Sequence, residues 1–259
     1  MQPERLIKKF KEKSSKVAVI GLGYVGLPLA VAVARKGYHV IGIDVSDFCI
    51  QNVNAGKNYI DDVEDVELKD LVSKGFLKAS NDYSLIKSVD VILIAVPTPL
   101  DKYHQPDMRY INDSIKNIKE HISSETLLVL ESTTYPGTTE ELIVPPIKEK
   151  DFMIGKDVFI AYSPERVDPG NKSFHTANTV KVVGGITDNC NLVAKAFYET
   201  ILDAEVYLVS SPAVAEMEKI YENTFRNINI ALANEMTILC ERMGISIWEV
   251  IEAAKSKPY

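Results

Sequence analysis

Glycines at positions 21, 23 and 26 mark the first place in this sequence where residue type and spacing imply a chemistry. In Gly21-Leu-Gly-Tyr-Val-Gly26 the first glycine permits a tight turn, the second lets the main chain approach a pyrophosphate, and the third lets a helix pack on the preceding strand. The helix N-terminus then meets the phosphates. Such a string is weak alone, and its neighbours give it weight. It follows the apolar run Val17-Ala-Val-Ile20 and opens a helical pattern carrying Leu29, Ala30 and Val33. The next run, Val40-Ile-Gly-Ile43, ends in Asp44, an acid at about the spacing expected for adenosine ribose hydroxyls. Asp44 would repel a 2′-phosphate, and neither Arg nor Lys follows it closely, so the spacing predicts NAD rather than NADP. The competing readings are a glycine turn that serves packing alone and an acid that serves only its turn.

Three hydroxyls and one helix face are the other candidates. Thr98 in Val96-Pro-Thr-Pro99 and Ser132 and Thr133 in Glu131-Ser-Thr-Thr-Tyr-Pro-Gly137 follow apolar runs, at the strand ends where open α/β sheets bind ligands. They suit the ribose and nicotinamide of a dinucleotide, or plain turns beside proline. Lys219, Asn223 and Arg226 stand at i, i+4 and i+7 and share one face of a long helical pattern, while Met217, Ile220, Tyr221, Phe225 and Ile228 favour other faces. A stripe of that kind can face an anionic ligand, and a lysine in it can stabilise a developing alkoxide. The commoner fate of such a stripe is solvation. The four histidines, His39, His104, His121 and His175, match no metal-ligand spacing, no metal site is expected, and the lone Trp248 is expected to pack.

These residues need elements to hold them. The chain has 259 residues, 46% hydrophobic and 25% charged, which suits one large domain or one domain plus a fragment of a second. Its 29 basic and 36 acidic residues leave a net charge of −7, against nucleic acid as a partner. No apolar run is long enough to span a bilayer and no signal peptide opens the chain, so a cytoplasmic protein without a membrane partner is expected. Cys49, Cys190 and Cys240 are too few and too scattered for a disulfide framework or a zinc site, and are expected as reduced thiols.

Short apolar runs (17–20, 39–43, 89–95, 126–130, 158–161 and 180–183) alternate with helical patterns. This predicts an α/β fold, a doubly wound Rossmann-type parallel sheet, over residues 1–210. From Ser211-Pro212 a helical pattern runs without Pro or Gly to Gly244, and a shorter one follows from Ser246. Residues 211–259 thus read as a long connecting helix plus a short one.

Taken in order, Gly21-Leu-Gly-Tyr-Val-Gly-Leu-Pro28, Val96-Pro-Thr-Pro99, Glu131-Ser-Thr-Thr-Tyr-Pro-Gly137, Tyr162-Ser-Pro-Glu-Arg-Val-Asp-Pro-Gly170 and Ala215-Glu-Met-Glu-Lys-Ile-Tyr-Glu-Asn223 resemble the UDP-sugar 6-dehydrogenase family over essentially the whole chain. Ser163-Pro-Glu-Arg-Val-Asp-Pro-Gly-Asn171 with Val180-Lys-Val-Val-Gly-Gly185 is most similar to its UDP-N-acetylhexosamine branch, particularly the UDP-N-acetylglucosamine 6-dehydrogenases. The resemblance implies NAD-dependent, four-electron oxidation of the sugar C6 alcohol to a carboxylate, through a thiohemiacetal and a thioester on a cysteine. It implies that Tyr24, Val25, Asp44, Thr98 and Thr133 touch NAD, with Gly21, Gly23, Gly26 and Ser132 completing that site. Glu165 would sit near the reacting carbon as acid/base or water-positioning group, with Thr133 counted among the catalytic residues. Arg166, Val167 and Arg226 would contact the UDP-sugar, and Lys219 and Asn223 would stabilise oxyanions. The plain alternative for Glu165 is a loop salt bridge.

The family's Gly-Gly-x-Cys nucleophile segment and its C-terminal UDP-binding domain do not occur before Tyr259, and none of the three cysteines is placed to substitute. The expectation is a chain that folds, binds NAD, forms a homodimer through the long helix, and does not complete the oxidation by itself. The alternatives are UDP-N-acetylmannosamine or UDP-glucose as substrate, and a non-catalytic NAD-binding or assembly module. A β-hydroxyacid dehydrogenase is more distant, and Tyr162-Ser-Pro-Glu-Arg argues against it.

Overall fold

All six apolar runs become neighbouring strands of one eight-stranded sheet, ordered β3-β2-β1-β4-β5-β6-β7-β8. The computed structural model describes residues 3–167 and 176–257; Asp168 to Asn171 of the Ser-Pro-Glu-Arg motif, and His175, lie outside them. The strands are β1 (Lys16–Ile20), β2 (His39–Ile43), β3 (Leu77–Ser80), β4 (Val91–Ile94), β5 (Thr126–Leu130), β6 (Val158–Tyr162), β7 (Lys181–Gly185) and β8 (Val206–Val209). The helices are α1 (Pro3–Lys11), α2 (Gly26–Arg35), α3 (Asp47–Asn54), α4 (Asp65–Ser73), α5 (Arg109–His121), α6 (Val144–Lys148), α7 (Asp188–Ile201), α8 (Pro212–Met243) and α9 (Ile247–Lys255).

Alternation along the strands separates two cores. Val17 and Val19 face one core with Leu29, Val33 and Phe197, whereas Ala18 and Ile20 face the other with Ile111, Ile115 and Ile118. Both faces of the sheet are covered, which is why its strands read as continuous apolar runs. The amphipathic start of the chain closes the first core: Phe10 of α1 meets Phe197 of α7 edge-on at 5.3 Å between ring centroids.

In one respect the expected parallel sheet is corrected. Strands β1 to β6 are parallel, but β7 runs antiparallel to β6, with Ala161 opposite Gly185 and Tyr162 opposite Gly184. A parallel return needs a crossover, usually a helix, and the described residues between β6 and β7 hold none. Because β7 is reversed and its far end pairs with the last residues of β6, its first residue, Lys181, lies beyond the carboxyl end of β6.

Helix α8 begins as the sequence suggests, with the Ser211 hydroxyl accepting from the Val214 amide at 3.4 Å, and gives way to Gly244 at φ +68°. Its second turn carries a buried carboxylate, Glu216, which accepts from the Gly137 and Thr139 amides at 2.5 and 2.9 Å and from the Thr139 hydroxyl at 2.7 Å. These groups open a π-helical turn, Thr139–Ile143, whose first amides have no helical partner. The chain divides into compact units Met1–Met217 and Glu218–Tyr259, later than the change of texture read at Ser211. Trp248 does not pack as expected: it is 76% exposed, and α9 buries no side chain among the described residues. No helix of the described residues is long and apolar enough to cross a membrane.

Candidate functional site

At the carboxyl end of β1 the glycine loop divides its work among three residues. Gly21 turns the chain at φ +88°, with its amide bound to the Ile43 carbonyl at 2.8 Å, and a Cβ there would stand 2.7 Å from the Ala95 oxygen. At Gly26 a Cβ would lie 1.8 Å from the Gly21 oxygen, so only glycine lets α2 start this close to the strand. Gly23 differs, because a Cβ there would meet nothing within 4 Å. That open space, beside a helix whose first turn carries no acid and whose N-cap Val25 offers no side-chain bond, fits the phosphates of a dinucleotide. Tyr24 is exposed at the tip of the loop.

Asp44 follows β2 and binds the loop directly. One carboxylate oxygen accepts from the Leu22 amide at 2.6 Å and the other from the Ser46 amide at 2.8 Å, so the acid is aimed before any ligand arrives. Tyr59 was not singled out from the sequence, yet its hydroxyl donates to the Leu22 carbonyl at 2.7 Å and its ring meets Phe48. Burial, with Cys49 beside it, pushes the Tyr59 phenol far above the usual tyrosine range, so it stays a donor.

The loops after β4 and β5 are tied together. The Thr98 hydroxyl donates to the Thr133 carbonyl at 2.7 Å, and Ser132 donates to the Val96 carbonyl at 2.8 Å. Each hydroxyl oxygen keeps acceptor capacity toward a ligand. The Thr134 hydroxyl in the same loop is buried and has no hydrogen-bond partner among the described residues.

Next to Ser132 lies a cluster that sequence reasoning missed. The Lys181 ammonium is 2.5 Å from Glu131 and 3.3 Å from Glu165, and the Tyr198 hydroxyl of α7 donates to the second oxygen of Glu131. The other oxygen of Glu165 accepts from the Arg166 and Val167 amides at 3.1 and 2.9 Å, and Arg166 donates to the Val180 carbonyl at 3.0 Å. Burial raises the Glu131 carboxyl above its ordinary range despite Lys181. For Glu165 burial also pushes upward, but the Lys181 charge and the two amides outweigh it and hold this carboxyl below its ordinary range. The salt bridge considered for this loop is therefore present, made to a strand lysine.

In the second unit Arg226 donates to the Asn223 side chain at 3.0 Å, and Lys219 and Asn223 are half-buried. All three cysteines are free thiols; Cys190 is buried, its sulfur accepting from the Ile160 amide at 3.3 Å, and Cys240 is buried too. Among the described residues no group of three metal-ligating side chains comes together.

Sheet order, the glycine loop and the acid that closes β2 together define a dinucleotide-binding domain. Residues 15–202 match the NAD binding domain of the UDP-glucose/GDP-mannose dehydrogenase family and residues 213–259 its central domain, and the chain belongs to that family. It is 40% identical over 243 residues to Protein CapL of Staphylococcus aureus, covering 93% of this chain and 56% of the relative. It is 37% identical over 246 residues to the UDP-N-acetyl-D-glucosamine 6-dehydrogenase of Pseudomonas aeruginosa, covering 95% and 57%. The solved UDP-D-ManNAc dehydrogenase of Pyrococcus horikoshii superposes with a TM-score of 0.87 at 35% identity, covering 94% of this chain and 58% of that one. The chain thus spans less than two thirds of the length of these relatives.

Proposed function

We propose that this chain is the cofactor-binding part of an NAD-dependent dehydrogenase that oxidises C6 of a UDP-N-acetylhexosamine, with UDP-N-acetyl-D-glucosamine as the substrate. The observation that carries the reading is the juxtaposition of the Ser132–Thr133 loop with an ionised, fixed Glu165 at the carboxyl edge of the sheet. In this reading Gly21, Gly23 and Gly26 hold the pyrophosphate, Asp44 the adenosine ribose, and Tyr24, Val25, Thr98, Ser132 and Thr133 the rest of NAD. The cofactor, when bound, supplies the hydride acceptor. A carboxylate held ionised suits accepting a proton from the C6 hydroxyl or orienting a water, which is the role given to Glu165. Arg166, Val167 and Arg226 hold the sugar nucleotide, and Lys219 and Asn223 stabilise negative charge on the reacting oxygen.

Calorimetric titration with NAD and NADP, then NADH absorbance with UDP-N-acetylglucosamine, UDP-N-acetylmannosamine and UDP-glucose, tests this on the polypeptide as it occurs in the cell. NAD is expected to bind at least about tenfold tighter than NADP, about 1.4 kcal/mol. NAD binding without NADH from any of the three sugars would leave the binding-module reading. The resemblance to the Pyrococcus enzyme favours the mannosamine epimer as second reading, and the sugar panel decides.

We also infer that the second unit assembles as a homodimer through α8, because Tyr221, Phe225, Ile228 and Leu232 present their side chains to solvent. Light scattering is expected to give twice the monomer mass, and Phe225→Asp with Ile228→Asp to halve it.

A further inference from the structure

The lysine in β7 has no part in the mechanism above, yet it is the centre of the most buried charged cluster described. Its side chain is 5% exposed, that of Glu131 is fully buried, and that of Glu165 is 16% exposed. An ammonium taken this far from water costs several kcal/mol unless it is paired and hydrogen-bonded. One carboxylate would suffice for that. Here there are two, and they are not equivalent.

Glu131 is the closer, its second oxygen is occupied by Tyr198, and it is sealed in the core. Glu165 is the more distant partner, sits on a loop after β6, and keeps an edge open to solvent. This asymmetry separates an anchor from a working group. Glu131 and Tyr198, whose ring also lies 5.6 Å from the ammonium, fix the lysine, and the lysine fixes Glu165. The reversed direction of β7 makes the arrangement available, since a strand parallel to β6 would start at the opposite edge of the sheet.

We propose that Lys181 is a positioning residue for Glu165: held by Glu131 and Tyr198, it fixes the Glu165 carboxylate as a charged acceptor at the carboxyl edge of the sheet. The proposal rests on the assignment of Glu165 to the reacting carbon made above. Among the described residues, the charged or titratable groups around Glu165 include Lys181 of β7, Glu131 after β5 and, through Glu131, Tyr198 of α7, while Arg166 of its own loop reaches it through its backbone amide.

Carbon-13 NMR of protein labelled at glutamate carboxyls tests it, with the Glu165 resonance assigned by its loss in Glu165→Gln. In the native protein Glu165 is expected to titrate below ordinary glutamates. Lys181→Met removes the positive charge, so ionisation becomes harder and the midpoint rises by at least about one unit, tenfold in the ionisation constant. Glu131→Gln removes a competing negative charge while keeping the shape of the side chain, so the midpoint falls further.

Opposite movements are what a merely structural lysine would not produce. Unchanged midpoints, or two shifts of the same sign, overturn the proposal. Should Lys181→Met fail to fold, Glu131→Gln decides alone, a fall supporting the idea and constancy or a rise ending it. In an enzyme that turns over, the acid limb of kcat/KM is expected to follow the same two shifts while the KM for NAD holds. Absence of UDP-sugar oxidation by the polypeptide as it occurs in the cell would instead refute the proposed function, and the NMR result would still show whether Lys181 controls Glu165.

Discussion

Gly23→Ala is expected to keep the fold and lose the cofactor, with NAD affinity falling at least about tenfold, or 1.4 kcal/mol, while the melting temperature stays within a few degrees. Gly26→Ala is expected to lose both. The two glycines are three residues apart in one loop, and their surroundings separate them. A methyl group at Gly23 strikes nothing, and the residue needs no left-handed backbone, so the folded state accepts it. In the proposed reading, the space it fills is the approach that the pyrophosphate requires.

At Gly26 the same methyl would arrive 1.8 Å from a backbone oxygen and 3.3 Å from the Ala95 side chain. That oxygen cannot swing aside cheaply, because Gly21 is itself held at φ +88° with its amide bound to Ile43. Opening the loop is expected to cost about 3 kcal/mol or more, the upper end of overpacking penalties. Thermal melts beside NAD titrations read both effects. Native-like NAD binding by Gly23→Ala, or a native-like melt for Gly26→Ala, would contradict this division of labour.

The second large effect is expected at Asp44. In the role proposed for it, Asp44→Ala removes the acceptor for the ribose hydroxyls, and it also frees the Leu22 amide that the carboxylate orders at 2.6 Å. A charge-assisted hydrogen bond is worth about 1.5–3 kcal/mol, so NAD affinity is expected to fall about 10- to 100-fold. On the same proposal NADP should respond differently, since the carboxylate assigned to repel its 2′-phosphate is gone. The gap between the two cofactors is therefore expected to narrow, and equal proportional losses would show that Asp44 only shapes the loop.

Much of this site was legible because its signals are local. The glycine spacing, the acid at the end of the next strand, and the Ser211 to Gly244 limits of the long helix each depend on a few adjacent residues. The strands found were those buried on both faces. Leu77-Lys-Ala-Ser80 and Val206-Tyr-Leu-Val209 escaped because they are the sheet's edges, where an exposed Lys78 or Tyr207 interrupts the apolar run. The reversal of β7 escaped because direction belongs to the connection rather than to the strand. Lys181 was invisible as a functional group for a related reason. A lysine in a strand reads as a solvent-facing residue, and its partners lie 50 and 16 positions away.

Burial of that lysine also bears on ionic strength. The Arg109 side chain that pairs with Asp107 is 81% exposed, and mobile ions at about 0.15 M, with a Debye length of about 8 Å, weaken such a pair readily. No such atmosphere surrounds Lys181, 5% exposed between two carboxylates. Its field at Glu165 should persist through salt concentrations that strip surface pairs, making that carboxylate's charge a property of the interior rather than of the medium.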